Sequence, residues 1–251
     1  MATQRTKGVD SARRALQILL RFSESRPELR IDELLEEHDI SLPSVYRYLS
    51  LLREMYLIEE RNKGTFVLSP QILQLARAAE QTLDYRHEAQ PLLDRLTDQT
   101  GETSLYLRRI NDAVVCLAIA ETEHAISISF QPGHIMALHA GAGAKILLSD
   151  YSATKREQYL DRCQPPLTKA ARERLAKELE RIRVEDFAES HGEVDNGVWA
   201  CAAPVRSRGS LVGVISVVAP EYRTGDEKKE EVSRRVREAA AEMGRVLERS
   251  R

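Results

Sequence analysis

ISLPSVYRYLSLL, Ile40–Leu52, carries one charge, two tyrosines and three serines around an apolar stripe. Val45, Leu49 and Leu52 recur at helical spacing, and Ser41 stands where a helix N-cap belongs. Pro43 is tolerated in a first turn. On this reading Tyr46, Arg47 and Tyr48 lie side by side on the outside. They are either ordinary polar decoration of a surface helix, or a face made to touch something.

The neighbouring sequence favours the second. A helix is expected from Ser11, with Ala12, Ala15, Leu16, Leu19 and Leu20 on one side, stopping near SESRPE, where Pro27 discourages continuation. A short helix, Ile31–His38, turns Ile31, Leu34 and Leu35 inward and its acids outward. After the quoted stretch come two β-prone runs, Leu57–Glu60 and Thr65–Leu68, flanking Asn62-Lys63-Gly64, which is hairpin-turn chemistry. Three helices and a hairpin make the order of a winged helix-turn-helix, with the third helix offered to a major groove.

Charge follows the same map. Arg5, Lys7, Arg13, Arg14 and Arg21 face Asp10 alone, the third helix adds Arg47 and Arg53, and the wing adds Arg61 and Lys63. These are the parts that approach phosphates in a winged helix. The expected DNA contacts are Arg13, Arg14, Ser41, Leu42, Pro43, Ser44, Tyr46, Arg47, Tyr48, Arg61 and Lys63. Tyr46 has a second option, packing under the wing.

A net charge of −2 excludes binding through overall basicity and leaves only a local basic face. With 42% hydrophobic and 30% charged residues in 251, the composition is that of a folded globular protein. Cys116, Cys163 and Cys201 are widely separated and odd in number, so neither a disulfide framework nor a zinc site is expected. The polar N-terminus and the absence of an apolar run of about 20 residues point to a cytoplasmic protein without membrane contact.

Residues 1–10 read as a flexible tail, 11–68 as the winged helix-turn-helix domain and 69–85 as a linker helix begun by Ser69-Pro70. From 86 to 251 the pattern is α+β. TSLYLRRI and AVVCLAIAE flank Asn111-Asp112, AISISF alternates, and AGAGAKILL enters a helix. Two more helices follow, then GVWACAAPV and SLVGVISVV joined by RSRG, then a long helix from Thr224, where Thr224 and Glu227 suggest a capping box. An antiparallel sheet with helices is the expected architecture.

Enzymatic readings find little support. AGAGAK lacks the GK[ST] ending of a phosphate loop, since Ala144 precedes Lys145 and Ile146 follows it. The six histidines show no metal spacing. HGEVDNG, residues 191–197, brings acid and histidine close together but has the composition of a turn. RGSLVG is no nucleophile elbow. No cofactor is expected. An enzyme or metabolite carrier with an incidental winged-helix module is the alternative to a ligand-responsive DNA-binding regulator, repressor or activator.

Taken in order, SARRALQILLRF, ISLPSVYRYLSLLREMYLIEE, SPQILQLARAA, TGETSLYLRR, PGHIMALHAGAGAKILLS and EVDNGVWACAAPVRSRGSLVGVISVVAPEYR resemble the IclR family of bacterial transcriptional regulators, from about Val9 onward. The resemblance implies a GAF-like effector domain, a dimerising linker, and homodimers assembled into tetramers as dimers of dimers. It also implies a double-stranded, roughly palindromic operator and control by a small organic acid or aromatic metabolite. The effector residues it implies are Ile128, Met136, Ala142, Gly143, Ser190, Val198, Ala200, Ser216 and Val218. A helix N-terminus at Ala142 and Gly143 would attract a carboxylate on physical grounds alone. Alternation turns Trp199 and Cys201 away from the same face. Where some members carry cysteine, aspartate and a second serine, this chain has Ala200, Ser190 and Val218, which implies a bulkier or more apolar effector. Tyr56 stands where many members have glycine before the wing.

Overall fold

The computed structural model describes residues 8–23, 26–38, 41–82, 84–122, 124 and 133–249. It divides into two compact units between residues 83 and 84. Ile128 and the expected strand AISISF fall outside the described residues, as does most of the expected tail.

The first unit runs α1 (Asp10–Leu19), β1 (Glu28–Arg30), α2 (Ile31–His38), α3 (Leu42–Glu54), β2 (Ile58–Asn62), β3 (Thr65–Leu68) and α4 (Gln71–Thr82). The three strands form one antiparallel sheet in the order β1-β3-β2, and the wing turn is closed by Gly64 at φ 77°. Its core joins Ala15 and Ile18 of α1, Leu34 of α2, the stripe of α3, and Leu29, Ile58 and Phe66 of the sheet.

Two expectations fail here, for Tyr48 and for the Ser41 cap. Tyr48 is only 3% exposed and belongs to the core, because positions 45, 48, 49 and 52 form a single helical stripe. Ser41 is the N-cap by position, but its hydroxyl meets that of Ser44 at 3.0 Å and caps no backbone N–H. Tyr56 has φ 55°, a left-handed conformation that costs any residue with a Cβ, which accounts physically for glycine at that place. The Ser69 hydroxyl donates to the Tyr56 carbonyl and accepts from Gln71 N–H at 3.1 Å, capping α4.

The second unit contains α5 (Asp84–Thr100), β4 (Thr103–Ile110), β5 (Ala113–Ala120), β6 (Ile135–Ala137), α6 (Ala142–Ser149), α7 (Ala153–Leu160), α8 (Lys169–Glu185), β7 (Ala188–His191), β8 (Val198–Ser207), β9 (Ser210–Pro220) and α9 (Asp226–Arg249). Its six strands form one antiparallel sheet, β6-β5-β4-β9-β8-β7. One face packs on α6, α7 and α8 through Leu107, Val114, Ala202 and Val214. The other packs on α5 and α9 through Tyr106, Trp199, Cys201 and Val217. A bulge in β5, where Leu107 pairs with Cys116 and Tyr106 with Ala118, exchanges the faces. Val114 and Cys116 therefore point to one core, Ala118 and Ala120 to the other.

The start of α9 is fixed differently from the expected capping box. Gly225 takes the cap position, accepting from Lys229 N–H at 2.9 Å, while the Thr224 hydroxyl donates to the Glu221 carbonyl at 3.0 Å. The fully buried Glu102 binds Arg223 at 2.7 Å and Lys228 at 2.6 Å, tying the start of β4 to this corner. No helix among the described residues is long and apolar enough to cross a membrane.

Toward its end α9 runs against β8 so closely that a Cβ on Gly244 would lie 2.3 Å from the Arg206 carbonyl oxygen. Gly244→Ala must push helix and strand apart and should cost about 1–3 kcal/mol, the usual range for overpacking. Thermal unfolding checks this, at about 2–4 °C of Tm for each kcal/mol. An unchanged midpoint would show that the helix moves freely there.

Candidate functional site

The first unit exposes the N-terminal half of α3. Ser41, Leu42, Pro43, Tyr46 and Arg47 are exposed and Ser44 is half-buried, so six of the expected contact residues share one surface. Tyr46 leaves half its surface bare. Tyr48 contributes from beneath. The neighbouring Arg47 and then Arg14 guanidiniums hold its phenol below the ordinary range. The Arg47 guanidinium also lies 5.5 Å from the Tyr48 ring centre. The buried tyrosine thus brings arginines from α1 and α3 together. Lys63 is exposed in the wing turn, whereas Arg61 is paired with Glu28 at 2.8 Å and Arg13 with Asp10.

In the second unit a cavity of about 270 Å³ opens between the sheet and the start of α6. Leu105, Leu107, Met136, Val198, Ala200 and Val218 supply apolar walls, and Ala142, Gly143 and Ala144 bring the first turn of α6 to it. Every expected effector residue among the described ones lines this space. Strand alternation puts Val198 and Ala200 on it, while Trp199 and Cys201 join the opposite core. Gly143 lies close against the sheet: a Cβ there would meet Leu107 Cδ1 at 2.6 Å, and that side chain would have to shift.

The polar lining is largely committed to the protein itself. Ser216 donates to the Cys201 carbonyl at 2.9 Å, and Ser190 Oγ accepts from Ala142 N–H at 3.1 Å. Glu193 accepts from Gly141 N–H at 2.9 Å. Its other oxygen lies 2.5 Å from Lys145 Nζ, which also reaches Glu178 at 2.5 Å and the Glu189 carbonyl at 3.3 Å. Sequence reasoning missed this network. Its signal was a lone lysine inside an apolar helix, ahead of a loop read only as a turn.

The three cysteines lie in buried surroundings. Cys116 and Cys201 are fully buried, and burial pushes the Cys201 thiol well above its ordinary value. Cys163 lies 3.5 Å from His139 Nδ1, whose other neighbour is the Tyr159 hydroxyl at 2.7 Å. Burial lowers the His139 pKa and raises that of Tyr159, so both are neutral near pH 7. Among the described residues no cluster of three or more His, Cys, Asp or Glu could hold a metal ion.

Comparison with known proteins agrees across the chain. Residues 11–61 match the IclR helix-turn-helix domain, and residues 77–245 match the C-terminal domain of bacterial IclR transcriptional regulators. The HTH-type transcriptional regulator BhcR of Paracoccus denitrificans is 31% identical, covering 94% of this chain and 86% of its own. An IclR family transcriptional regulator from Brucella abortus shares the fold with a TM-score of 0.84 at 20% identity, over 96% of this chain and 93% of the other. An IclR homologue from Microbacterium hydrocarbonoxydans, solved with 4-hydroxybenzoate, has a TM-score of 0.75 at 19% identity, over 96% and 100%. The chain belongs to the IclR family: it is a transcriptional regulator with a DNA-binding and an effector domain.

Proposed function

We propose that this regulator acts in the cytoplasm as a homodimer on a roughly palindromic operator, and that a small organic acid or aromatic metabolite controls it from the α6 cavity. The observation that carries the effector reading is the cavity itself. Apolar walls stand opposite the first turn of a helix, which suits a flat apolar body with a polar end. The relative that holds 4-hydroxybenzoate supports that class of molecule.

For DNA, the exposed N-terminal half of α3 supplies base contacts, with Arg47 the principal reader, and Arg14 and Lys63 address phosphates. Arg13 and Arg61 join them by exchanging their carboxylate partners for phosphate. Dimerisation is supported by bare leucines: Leu16 and Leu20 in and after α1, and Leu73 and Leu75 in α4, are each more than half exposed. A tetramer built as a dimer of dimers extends the same scheme. The effector shifts the spacing of the two DNA-binding domains only by its differential affinity for the two states.

Selection of bound genomic fragments by the pure protein, followed by titration of the best fragment across a salt series, tests the regulator reading. A specific complex that weakens with salt supports it; no fragment preferred over scrambled DNA overturns it. Arg47→Ala should weaken that complex by about 1–3 kcal/mol and relax one operator position. Unchanged affinity removes Arg47 from the interface. Ala142→Leu fills the cavity at a residue that is 1% exposed, and should abolish the effector response with operator affinity intact. A surviving response would place the effector elsewhere.

A further inference from the structure

We propose that Glu193 is a built-in occupant of the effector's anion position, and that a carboxylate effector enters by displacing it and opening the loop from His191 to Gly197. The inference rests on the α6 cavity being the effector site.

Three observations lead to it. First, a carboxylate already sits where an acid would be bound, on Gly141 N–H at 2.9 Å and on Lys145 at 2.5 Å, and it comes from the loop rather than from the framework of the domain. Second, the charges do not balance. Among the described residues Lys145, 1% exposed, is the one cation that pairs with Glu178 and Glu193, and both share it. If Glu193 leaves, Lys145 keeps Glu178 and the Glu189 carbonyl and forms a neutral pair, so the buried cation is not stranded. Glu193 is therefore the partner that can go, and an incoming carboxylate restores the present charge state.

Third, the loop is built to hinge. Its ends are anchored by Gly192 N–H to the Val198 carbonyl at 2.8 Å and by Glu221 N–H to the Gly197 carbonyl at 2.7 Å. Gly192 and Gly197, at φ 61° and 75°, flank a tip that carries Glu193, Val194 and Asp195 onto the cavity. Val194 Cγ2 sits so near Gly141 that a Cβ there would be 3.0 Å from it, so the tip covers the start of α6. With Glu193 and Asp195 both at the mouth, a carboxylate cannot settle beside the closed tip without strong like-charge repulsion. Displacement is the route that avoids it. An uncharged molecule has no means of competing for the same donors on equal terms.

Benzoate, with benzamide as its uncharged counterpart, serves as the probe on the full-length protein. Glu193→Gln weakens the internal occupant and should tighten benzoate binding by about tenfold or more in calorimetry, the scale of a hydrogen bond to a charged group, and benzamide binding should change much less. Hydrogen exchange gives a second reading: benzoate should speed exchange across residues 191–198 of the wild type, since the tip is released. A ligand entering beneath a closed tip would slow it. The proposal is overturned if Glu193→Gln binds benzoate no more tightly than wild type, if neither protein binds it, if benzamide gains equally, or if the loop becomes more protected. Each of these leaves the DNA selection untouched, and the effector-site reading fails separately, through an effector response that survives Ala142→Leu.

Discussion

The organisation of the effector domain depends on one buried ammonium. All eight residues of α6, from Ala142 to Ser149, are buried, and Lys145 is among them. A cation removed from water is costly unless anions and hydrogen-bond acceptors surround it closely. Those come from α8 as Glu178, from β7 as the Glu189 carbonyl and from the following loop as Glu193. A single charge therefore fixes α6 relative to the helix behind it, the edge strand beside it and the loop in front. These elements include much of the cavity wall, so the shape of the site and the neutralisation of Lys145 are one problem with one solution.

The two faces of the sheet divide the work. On the far face α5 and α9 meet Trp199, Cys201 and Val217 in a core pinned by Glu102 and by the close approach at Gly244. On the near face a small residue leaves room: Ala200 stands on the cavity wall where a larger side chain would fill the space. The bulge in β5 lets a single strand serve both faces.

Legibility in the sequence follows the range of the forces. Local periodicity identified α2, α3, the wing hairpin, β4, β5, β8 and β9, and alternation put Ala200 and Cys201 on opposite faces, while only the resemblance said which face held the cavity. Tyr48 was misassigned because its side chain is amphipathic: spacing puts it on the stripe of Val45 and Leu49, and its hydroxyl disguises that. The strands β1, β6 and β7 escaped notice because they span only three, three and four residues and are set by partners distant in the chain. The partners of Lys145 lie 33 and 48 residues away, so a lone lysine could be seen as odd, but not as paired. Thr224 looked like a cap, yet Gly225 took that place once the Glu221–Arg223 turn had claimed the threonine hydroxyl.

The wing has a consequence for how DNA affinity responds to ions. Arg61 is already engaged by Glu28, and Arg53 by Glu60 at 3.2 Å. An arginine held by a carboxylate on its own surface leaves that partner behind on meeting a phosphate, and the freed carboxylate then gathers cations of its own. Some of the condensed cations expelled from the duplex are thus recaptured by the protein. The exchange is mild, because exposed ion pairs contribute only about 0–1 kcal/mol. The slope of log affinity against log salt will therefore fall short of a count of basic residues at the interface, and will report net ion release.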